Sequence, residues 1–470
     1  MTQSRQTDAD AIVVGAGLAG LAAARVLVDA GHRVRILEAR DRVGGRLMGG
    51  ELSDGQWIEL GGQWIGPGHN RMYELVAQHG LSTIPTFNEG QTVIRLGGKR
   101  SLMGSARGSV PRMNPFALAD LAQGIARFNR LTARVDVERP WGTPRARDMD
   151  RETFGAWIRS TLRTSAGRAY FQIACEAIFA AEPADLSLLH AAFYARAGTD
   201  LETLMAVDRG AQQDRISGGS VRIAERMADA LRADGAVIDL NAAVRAVRHG
   251  SDGCLVELRD GAAVRARRVI VAIPPALAGR LHYEPALPAL RDQLTQRLPM
   301  GSVIKTYAVY ERPFWRDAGL NGQVGSDEGP VKVVFDNTPP GYPRGILMGF
   351  LEGDAARAWG ARPVAERRAA VIACHVRSFG EQARHPIEYV EQDWSTEEFT
   401  RGCYGAHFTT GTWTSFGPAL REPAGPVHWA GAEYASTGNG YMEGAVRSGE
   451  ATARIVAAEL HSSREDASTP

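Results

Sequence analysis

The feature that most constrains this chain is a strand, glycine loop, helix and strand unit in residues 10–46. Residues 11–14 are short and apolar, a pattern that predicts a strand buried on both faces. Residues 18–28 are rich in Ala and Leu and predict a helix, and residues 33–37 predict a second strand. From the end of the first strand into the start of the helix, three glycines follow G-x-G-x-x-G spacing.

Each of these glycines has a steric role. The first allows a tight turn, the second lets the backbone approach a pyrophosphate, and the third lets the helix pack closely on the strand. The helix N-terminus offers unpaired N–H groups to phosphates. Glu38 ends the second strand, where a carboxylate can accept the ribose hydroxyl groups. The unit therefore predicts a dinucleotide site, and its glycines are Gly15, Gly17 and Gly20.

The residues after Glu38 favour a flavin over a nicotinamide dinucleotide. The run EARDRVGGR, residues 38–46, carries a second glycine pair between basic residues. A nicotinamide-dependent dehydrogenase has no need of this extension. A solvated basic loop is the alternative.

Composition limits the class of protein. The chain has 470 residues, which predicts two domains, and its 44% hydrophobic and 23% charged residues are typical of a soluble globular protein. A net charge of +1 gives no electrostatic case for binding nucleic acid or an anionic membrane.

The four cysteines lie far apart without CxxC spacing, which argues against a metal site or disulfides. Both termini are polar, so we expect a cytoplasmic protein without a signal peptide or membrane anchor.

The middle of the chain predicts a cap over the nucleotide domain. Residues 81–200 change in composition and are mainly helical in pattern, except for a basic stretch, 99–112, that predicts a loop. Residues 214–275 return to strands, and Gly218-Gly219 precedes a helix. Further strands and a helix between residues 300 and 379 would complete the cap with a sheet.

Two shorter stretches carry residues of chemical interest. Lys305 interrupts an apolar strand pattern, and a lysine is costly to bury unless it is paired or functional. For an isolated lysine, alternation favours an orientation toward water. Gly61-Gly62 follows a strand, which indicates either a backbone pressed against a flat ligand or an ordinary turn. Near the end, a helix predicted from about Tyr441 to Leu460 has an N-terminus suited to negative charge on a ligand.

Taken together, these motifs resemble the flavin-containing monoamine oxidase family over nearly the whole chain. The matching runs are VVGAGLAGL, LEARDRVGGR, LGGQWIGP, SGGS, VAIPP, GSVIK, PFW, GCY, AGAE and GYMEGAV. The resemblance implies an α/β fold, with a discontinuous Rossmann-like FAD-binding domain and an inserted α+β substrate-binding cap domain. The expected FAD-binding domain comprises residues 1–80, 210–290 and 392–462, the substrate-binding domain 81–209 and 291–391, and a polar tail 463–470.

The resemblance also implies the cofactor site. Glu38 would hold the adenosine ribose, and Arg40 and Arg46 would lie near the phosphates and the flavin. Cys403 sits where some members link a cysteine sulfur to the flavin 8α-methyl carbon; a buried free cysteine is the alternative. The expected FAD-binding residues are Gly15, Gly17, Gly20, Glu38, Arg40, Gly45, Arg46, Gly62, Gln63, Trp64, Val244, Trp394, Cys403, Gly431, Glu433, Tyr441 and Met442.

Three residues would act in catalysis. Lys305 matches a lysine that holds a water near flavin N5, which replaces the solvent-facing interpretation. Tyr404 and Tyr441 match two tyrosines that face each other across the flavin. The expected substrate-binding residues are Gln212, Met205, Val333, Tyr404 and Tyr441, and no metal is expected. Met205, Val333 and the pair Thr437-Gly438 depart from the side chains of the mitochondrial enzymes, so the substrate preference stays open.

The activity implied is FAD-dependent oxidation of a small-molecule amine to an imine, with reduction of dioxygen to hydrogen peroxide. A monoamine oxidase, acting as a homodimer, is the main hypothesis. A diamine, putrescine or other polyamine oxidase and an L-amino-acid oxidase are alternatives. A non-catalytic protein on the same fold, similar to the Rab dissociation inhibitors, would have no reason to keep Lys305 and Cys403.

Overall fold

The computed structural model describes residues 7–468, with side chains to residue 462. Within this range the strands are β1 (Ala9–Val14), β2 (Val34–Leu37), β3 (Gly49–Glu51), β4 (Trp57–Glu59), β5 (Trp64–Ile65), β6 (Thr83–Pro85), β7 (Gln91–Leu96), β8 (Lys99–Gly104), β9 (Asp214–Ile216), β10 (Val237–Asp239), β11 (Val244–Gly250), β12 (Gly253–Leu258), β13 (Ala263–Val271), β14 (His282–Glu284), β15 (Val303–Tyr310), β16 (Leu320–Ser326), β17 (Val331–Asp336), β18 (Gly345–Glu352), β19 (Glu388–Asp393) and β20 (Val427–Trp429).

The α-helices of the same range follow in chain order. They are α1 (Leu18–Asp29), α2 (Asn70–Gln78), α3 (Pro115–Thr132), α4 (Ala146–Arg151), α5 (Phe154–Thr161), α6 (Ser165–Phe179), α7 (Leu188–Ala197), α8 (Leu201–Met205), α9 (Val221–Ala233), α10 (Pro275–Ala278), α11 (Ala289–Thr295), α12 (Phe314–Asp317), α13 (Gly353–Gly360), α14 (Val364–Phe379), α15 (Thr412–Phe416) and α16 (Met442–Ser468). None of them is long and apolar enough to cross a membrane.

The first sheet has β1 at its centre and confirms the predicted buried strand. Its order is β10-β2-β1-β13-β12-β11-β14, and β20 also pairs with β13. The pairings of β1 with β2 and β13, and of β2 with β10, are parallel. Ile12 and Val14 enter one hydrophobic core, whereas Ala11 and Val13 enter the other. A parallel sheet covered on both faces is the arrangement that an apolar run such as β1 requires.

Helix α1 packs so closely on its neighbours that two glycines are needed. A Cβ atom added at Gly20 would lie 2.0 Å from the carbonyl oxygen of Gly15. A Cβ atom added at Gly449, in α16, would lie 2.1 Å from the carbonyl oxygen of Ala19. Real Cβ atoms essentially never approach so closely, so α1 is fixed between the glycine loop and α16.

The second sheet corrects one prediction. Its order is β19-β15-β18-β17-β16-β7-β8, and β7 and β8 form an antiparallel hairpin. The first part of the stretch 99–112 is therefore strand β8, not a loop. Gly97 and Gly98 form the turn with φ angles of 59° and 78°, the conformation of a two-residue hairpin turn. The basic residues Lys99 and Arg100 are exposed on this edge strand, where charge prevents pairing with another chain.

The last helix is longer than predicted. Helix α16 runs to Ser468 and not to about Leu460, so most of the expected polar tail is helical. No glycine or proline occurs between these two positions to end the helix. Residues 469–470 lie outside the described range.

We predict that Gly449→Ala lowers the stability of the protein. In an open helix this change would stabilise by about 1 kcal/mol through helix propensity. The clash with Ala19 reverses the sign, with an expected loss of about 1–3 kcal/mol. Thermal unfolding measures the effect. Gly250→Ala is the matched control, because a Cβ atom there meets nothing within 4 Å; a stable Gly449→Ala variant would contradict the close packing.

Candidate active site

A large cleft extends from the carboxyl ends of β1 and β2 to strands β15 and β18. The carboxyl edge is where parallel α/β sheets bind their ligands. Most of the predicted site residues line this cleft. They are Gly15, Gly17, Glu38, Arg40, Gly45, Arg46, Gly62, Gln63, Trp64, Gln212, Val244, Lys305, Trp394, Cys403, Tyr404, Gly431, Tyr441 and Met442.

Two glycine-rich loops lie against each other at one end of the cleft. Gly15 has a φ of +101°, a left-handed conformation that glycine adopts without strain. A Cβ atom added at Gly45 would lie 3.3 Å from the Cα atom of Gly17. The backbone N–H of Gly44 donates to the carbonyl oxygen of Ala16 at 2.9 Å. Because Gly44 is buried, the alternative of a solvated loop is wrong.

Glu38 lies at the same end of the cleft as the two glycine-rich loops. Its carboxylate accepts hydrogen bonds from the backbone N–H of Ala16 at 2.7 Å and of Arg40 at 2.9 Å. A carboxylate has about four acceptor sites, so both oxygens keep capacity for further donors. The Arg40 side chain donates to the Thr400 hydroxyl at 2.5 Å. Val244, the first residue of β11, lines the same cleft.

Arg46 and Glu433 form an ion pair beside the cleft, in which Glu433 is buried and Arg46 is partly exposed to the cleft. The guanidinium donates to the two carboxylate oxygens at 2.6 and 3.1 Å and to the carbonyl oxygen of Tyr404 at 2.8 Å. Burial acts to raise the pKa of Glu433, but the charge and hydrogen bonds of Arg46 outweigh it and lower the pKa. The pair therefore fixes the second glycine loop to the segments around Tyr404 and Glu433.

Lys305 is buried in the cleft wall, with 3% of its surface exposed, so the solvent-facing interpretation is wrong. Its Nζ atom donates to the carbonyl oxygens of Glu59 and Gly61 at 2.5 and 2.8 Å and to Oε1 of Gln63 at 2.6 Å. An ammonium has three N–H donors, and these contacts use all three. A water bound by Lys305 would have to replace one of them. Of the three atoms that accept hydrogen bonds from Lys305, only Oε1 of Gln63 belongs to a side chain.

The two predicted tyrosines are each held from behind. Tyr404 donates its hydroxyl to Glu352 Oε1 at 2.8 Å and packs on Phe350, with ring centroids 6.0 Å apart. Tyr441 packs on His69 and on Tyr194, with centroids 5.1 and 5.9 Å away. Both tyrosines are fixed by neighbours that the sequence did not single out.

Trp394 and Cys403 complete the wall beside Lys305. Trp394 donates its indole N–H to the carbonyl oxygen of Leu60 at 2.9 Å. Cys403 is free and buried, and burial raises the pKa of its thiol to about 12, although the charge of Arg46 acts against this rise. The thiol is therefore neutral in this environment.

Four predicted residues do not line the cleft. Gly20 lies behind the glycine loop, where it makes room for Gly15, and Glu433 reaches the cleft through Arg46. Val333 lies in β17 and packs with a cluster that includes Trp64 and Phe350, and Met205 ends α8 against the helical core. Neither of the last two lines the cleft, and their role in binding substrate stays a prediction.

Several cleft residues were missed from the sequence. Phe350 and Tyr194 line the cleft next to the two tyrosines, and Ala177 and Ile178 of α6 join them. The strand prediction for β18 offered one signal, because alternate residues of a strand share a face. The helical residues gave none, since an apolar residue that lines a cleft and one that fills a core follow the same periodicity.

The cleft is charged at one end and neutral at the other. Arg40 and Arg259 both lie over the ring of Phe399 at the Glu38 end, and Arg259 also pairs with Glu398. The wall around Tyr404 and Tyr441 has no charged side chain of its own in the described residues, apart from Arg46, which is paired with Glu433, and Lys305, whose donors are all used. Its uncharged residues are Trp64, Ala177, Ile178, Tyr194, Gln212 and Phe350.

Comparison with known proteins gives the class. Residues 18–457 match the family of flavin containing amine oxidoreductases, and the chain belongs to this family. It is therefore an FAD-dependent amine-oxidising enzyme. The cleft fits FAD, because the glycine loops leave room for a backbone-bound pyrophosphate and the Glu38 carboxylate keeps free acceptor sites at the same end.

Individual relatives are similar over almost their whole length. A protein of Mycobacterium tuberculosis named as a flavin-containing monoamine oxidase is 43% identical over 96% of this chain and 97% of its own. The structure of a putrescine oxidase bound to putrescine superimposes with a TM-score of 0.90 at 34% identity, covering 96% of this chain and 99% of the other. Cyclohexylamine oxidase from Brevibacterium oxydans gives 0.91 at 32% identity, covering 97% and 100%.

We predict that Glu433→Gln destabilises the protein by about 1–3 kcal/mol at neutral pH, because the partly buried Arg46 loses its charged partner. The pKa of Glu433 is lowered in the folded state. Its contribution is therefore present above the unfolded pKa and lost as pH falls through the folded pKa.

Urea unfolding at a series of pH values tests this prediction. The difference between variant and wild type should shrink in acid. Glu398→Gln, which removes an exposed ion pair with Arg259, is the control and should change little. A loss for Glu433→Gln no larger than for this control, or one independent of pH, would contradict the assignment.

Proposed function

We propose that the chain oxidises a small monoamine to an imine, which water hydrolyses to an aldehyde or ketone, and that dioxygen is reduced to hydrogen peroxide. The observation that carries the proposal is the uncharged, largely aromatic wall around Tyr404 and Tyr441. Such a wall suits an apolar substituent and offers no partner for a second charge.

The same wall favours the reactive form of the substrate. Amine oxidation requires the neutral amine, because an ammonium has no lone pair to support the loss of hydride or its equivalent. Burial in an apolar environment lowers the pKa of an amine. The cleft therefore promotes loss of the ammonium proton without a dedicated base.

The residues of the chain hold and orient the two reactants. Gly15, Gly17 and Gly45 would approach the pyrophosphate at the N-terminus of α1, and Glu38 would accept the ribose hydroxyls. When bound, FAD supplies the two-electron acceptor for the amine and the two-electron donor for dioxygen. Gly62, Gln63, Trp64, Trp394 and Gly431 would surround its ring system, Val244 would meet the adenine, and Arg40 and Met442 would lie near the phosphates and the flavin.

Tyr404 and Tyr441 would orient the amine with their ring faces. Aromatic contacts are directional and add about 0.5–1.5 kcal/mol beyond buried area. The hydrogen bond to Glu352 fixes Tyr404, and packing on Tyr194 and His69 fixes Tyr441. Lys305 would act on the dioxygen side, where its positive charge favours electron transfer to oxygen.

The alternatives need charges that the wall lacks. A diamine oxidase needs a carboxylate for the distal ammonium, and an L-amino-acid oxidase needs a cation for the carboxylate. Glu352 is the carboxyl held against Tyr404, but burial raises its pKa to about 8, so it is mostly neutral at pH 7. The similarity to putrescine oxidase keeps the diamine as the second candidate.

An amine panel assayed for hydrogen peroxide tests the proposal. Benzylamine and cyclohexylamine should be oxidised with a kcat/KM about 100-fold or more above that of putrescine or an L-amino acid, because a second charge would be desolvated without a partner. A preference for putrescine would favour the diamine oxidase instead, and failure of every amine to produce peroxide would contradict the oxidase assignment.

The variant Gln212→Glu extends this panel, because it adds a charge to the cleft and should change the substrate preference. Gln212 lines the cleft and its Oε1 atom is buried without a hydrogen-bond partner in the described residues. The change adds one negative charge at nearly constant volume. Activity on putrescine relative to benzylamine should rise, and an unchanged ratio would show that the distal end of the substrate lies elsewhere.

We predict that Tyr404→Ala and Tyr441→Ala slow flavin reduction by the amine while FAD stays bound. Each lost ring should cost on the order of 1 kcal/mol, about fivefold in rate, and the double variant more. Anaerobic stopped-flow absorbance measures the rate. Tyr441→Phe, which keeps the ring, should stay close to wild type; wild-type rates in the double variant would remove both rings from the active site.

We also propose that Cys403 carries FAD through a thioether bond between its sulfur and the flavin 8α-methyl carbon. The bond would replace the thiol S–H bond and one methyl C–H bond; the two electrons would pass to FAD and then to dioxygen, which would take up the two protons as hydrogen peroxide. Cys403 lines the cleft directly before Tyr404, so its thiol lies near the ring system that Tyr404 would face. Acid-precipitated protein should stay yellow, and its mass should exceed that of the chain by one FAD. Cys403→Ala should release the flavin, whereas Cys254→Ala should not. Release of all flavin from wild type would refute the bond but not the activity.

Three further expectations concern the domains, the cellular location and the oligomeric state of the protein. We propose that residues 81–209 and 291–391 act as the substrate-binding domain on an FAD-binding domain formed by the remaining segments. We further propose a cytoplasmic homodimer. Limited proteolysis, light scattering and cell fractionation measure these properties directly.

A further inference from the structure

Three ionisable side chains are buried together behind the cleft wall. Lys305, Glu59 and Arg215 have 3%, 2% and 1% of their surface exposed. They come from β15, β4 and β9, which belong to three different sheets. Two cations and one anion are thus held at the point where Lys305 reaches the cleft. Burying a charge is costly unless it is paired, so this charge cluster requires an explanation.

Glu59 contacts Lys305 through its backbone, and its side chain lies in the same buried cluster. Its carbonyl oxygen accepts from Nζ of Lys305, and its Oε1 atom accepts from the backbone N–H of Ser220 at 2.7 Å. The Oε2 atom is buried without a hydrogen-bond partner among the described residues. One oxygen of the Glu59 carboxyl group is therefore left without a hydrogen bond, and its interaction with the two cations is through charge.

Arg215 is linked to Lys305 through hydrogen bonds of Asn337 and Gln63. Its Nη1 atom donates to the carbonyl oxygen of Asn337 at 3.0 Å, and the Asn337 amide contacts Oε1 of Gln63 at 3.3 Å. Gln63 in turn accepts from Lys305. The Nε and Nη2 atoms of Arg215 are buried and make no hydrogen bond to the described part of the chain. A guanidinium stays charged, so it acts on Lys305 as a fixed positive charge.

The opposing charges act on a lysine that is close to titration. Burial lowers the pKa of Lys305 to about 7, the charge of Glu59 raises it, and the charge of Arg215 lowers it further. Burial raises the pKa of Glu59 to about 7, against the charges of Lys305 and Arg215. The other titratable groups that face the cluster are Tyr307 beside Glu59 and Arg215, Cys403 beside Lys305 and Asp336 beside Arg215.

We propose that Glu59 and Arg215 are positioning residues that act through Lys305, with Glu59 holding it as the ammonium and Arg215 limiting the pH range of that charge. Through this balance they set the pH range in which dioxygen rapidly reoxidises the enzyme. The inference rests on the proposed role of Lys305. It names two residues that do not line the cleft themselves.

Two variants of the FAD-loaded enzyme should shift the titration in opposite directions. Glu59→Gln removes the carboxylate and should lower the pKa of Lys305 by about 1–3 pH units, whereas Arg215→Met should raise it by a similar amount. The first readout is the pH at which the absorption spectrum of bound oxidised FAD changes, which requires no turnover. The second is the pH profile of reoxidation by dioxygen after photoreduction. Both inflections should move together.

The control variants separate charge from structural damage. Lys305→Met should abolish the spectral inflection and slow reoxidation at every pH. Glu59→Asp and Arg215→Lys keep the charges and should restore the wild-type inflection. Arg367→Met removes an arginine paired with Glu391 outside the cluster and should leave both profiles unchanged. If Glu59→Gln or Arg215→Met fails to fold, the remaining variant still tests the direction of the pKa shift of Lys305 that is predicted for it.

The outcomes distinguish this inference from the proposed function. If Lys305→Met abolishes the inflection but Glu59→Gln and Arg215→Met leave it unmoved, or move it in the same direction, the inference is overturned and the role of Lys305 stands. If Lys305→Met leaves the inflection and reoxidation as in wild type, both fall. Amine-driven flavin reduction, measured separately without oxygen, tests the amine oxidase activity independently of either.

Discussion

The ion pair of Arg46 and Glu433 is the interaction on which the cleft depends. It joins the second glycine loop to the segment before α16, and through the carbonyl oxygen of Tyr404 to the tyrosine wall. Removing Arg46 would leave the buried Glu433 carboxylate without its charged partner, so these segments cannot separate at low cost. The cofactor end and the substrate end are therefore held in one geometry before any ligand binds, and little ordering cost falls on binding.

The division of charge within the cleft follows from what each end must bind. An anionic pyrophosphate would lie at the N-terminus of α1, near the arginines at that end of the cleft. A neutral amine would contact the aromatic wall, where the nearby charged side chains are paired or hydrogen-bonded. Lys305 lies where these two environments meet, with all of its donors engaged. The chemistry of Lys305 therefore depends on the groups around it and not on its residue type alone.

Sequence reasoning succeeded where structure is local and failed where it depends on distant packing. The β1–α1–β2 unit, its glycines and Glu38 form one continuous stretch whose pattern specifies both structure and ligand class. Phe350 and Tyr194 were missed because only tertiary packing brings β18 and α7 to the same cleft. The roles of Val333 and Met205 stay predictions, because a resemblance transfers positions along the chain, not the direction of a side chain. The basic composition of β8 hid an edge strand, although Gly97-Gly98 marked its turn.

The sheet topology also governs when this protein can become functional during its synthesis. Strand β1 pairs with β13, about 250 residues later, and β7 pairs with β16, more than 200 residues later. Helix α16, which covers α1, follows all of these strands in the chain. At about 5–20 residues per second, the N-terminal strands wait on the order of tens of seconds for their partners. Their apolar edges must be shielded by nascent-chain collapse or by chaperones throughout this interval, and FAD can be enclosed only after α16 has been translated.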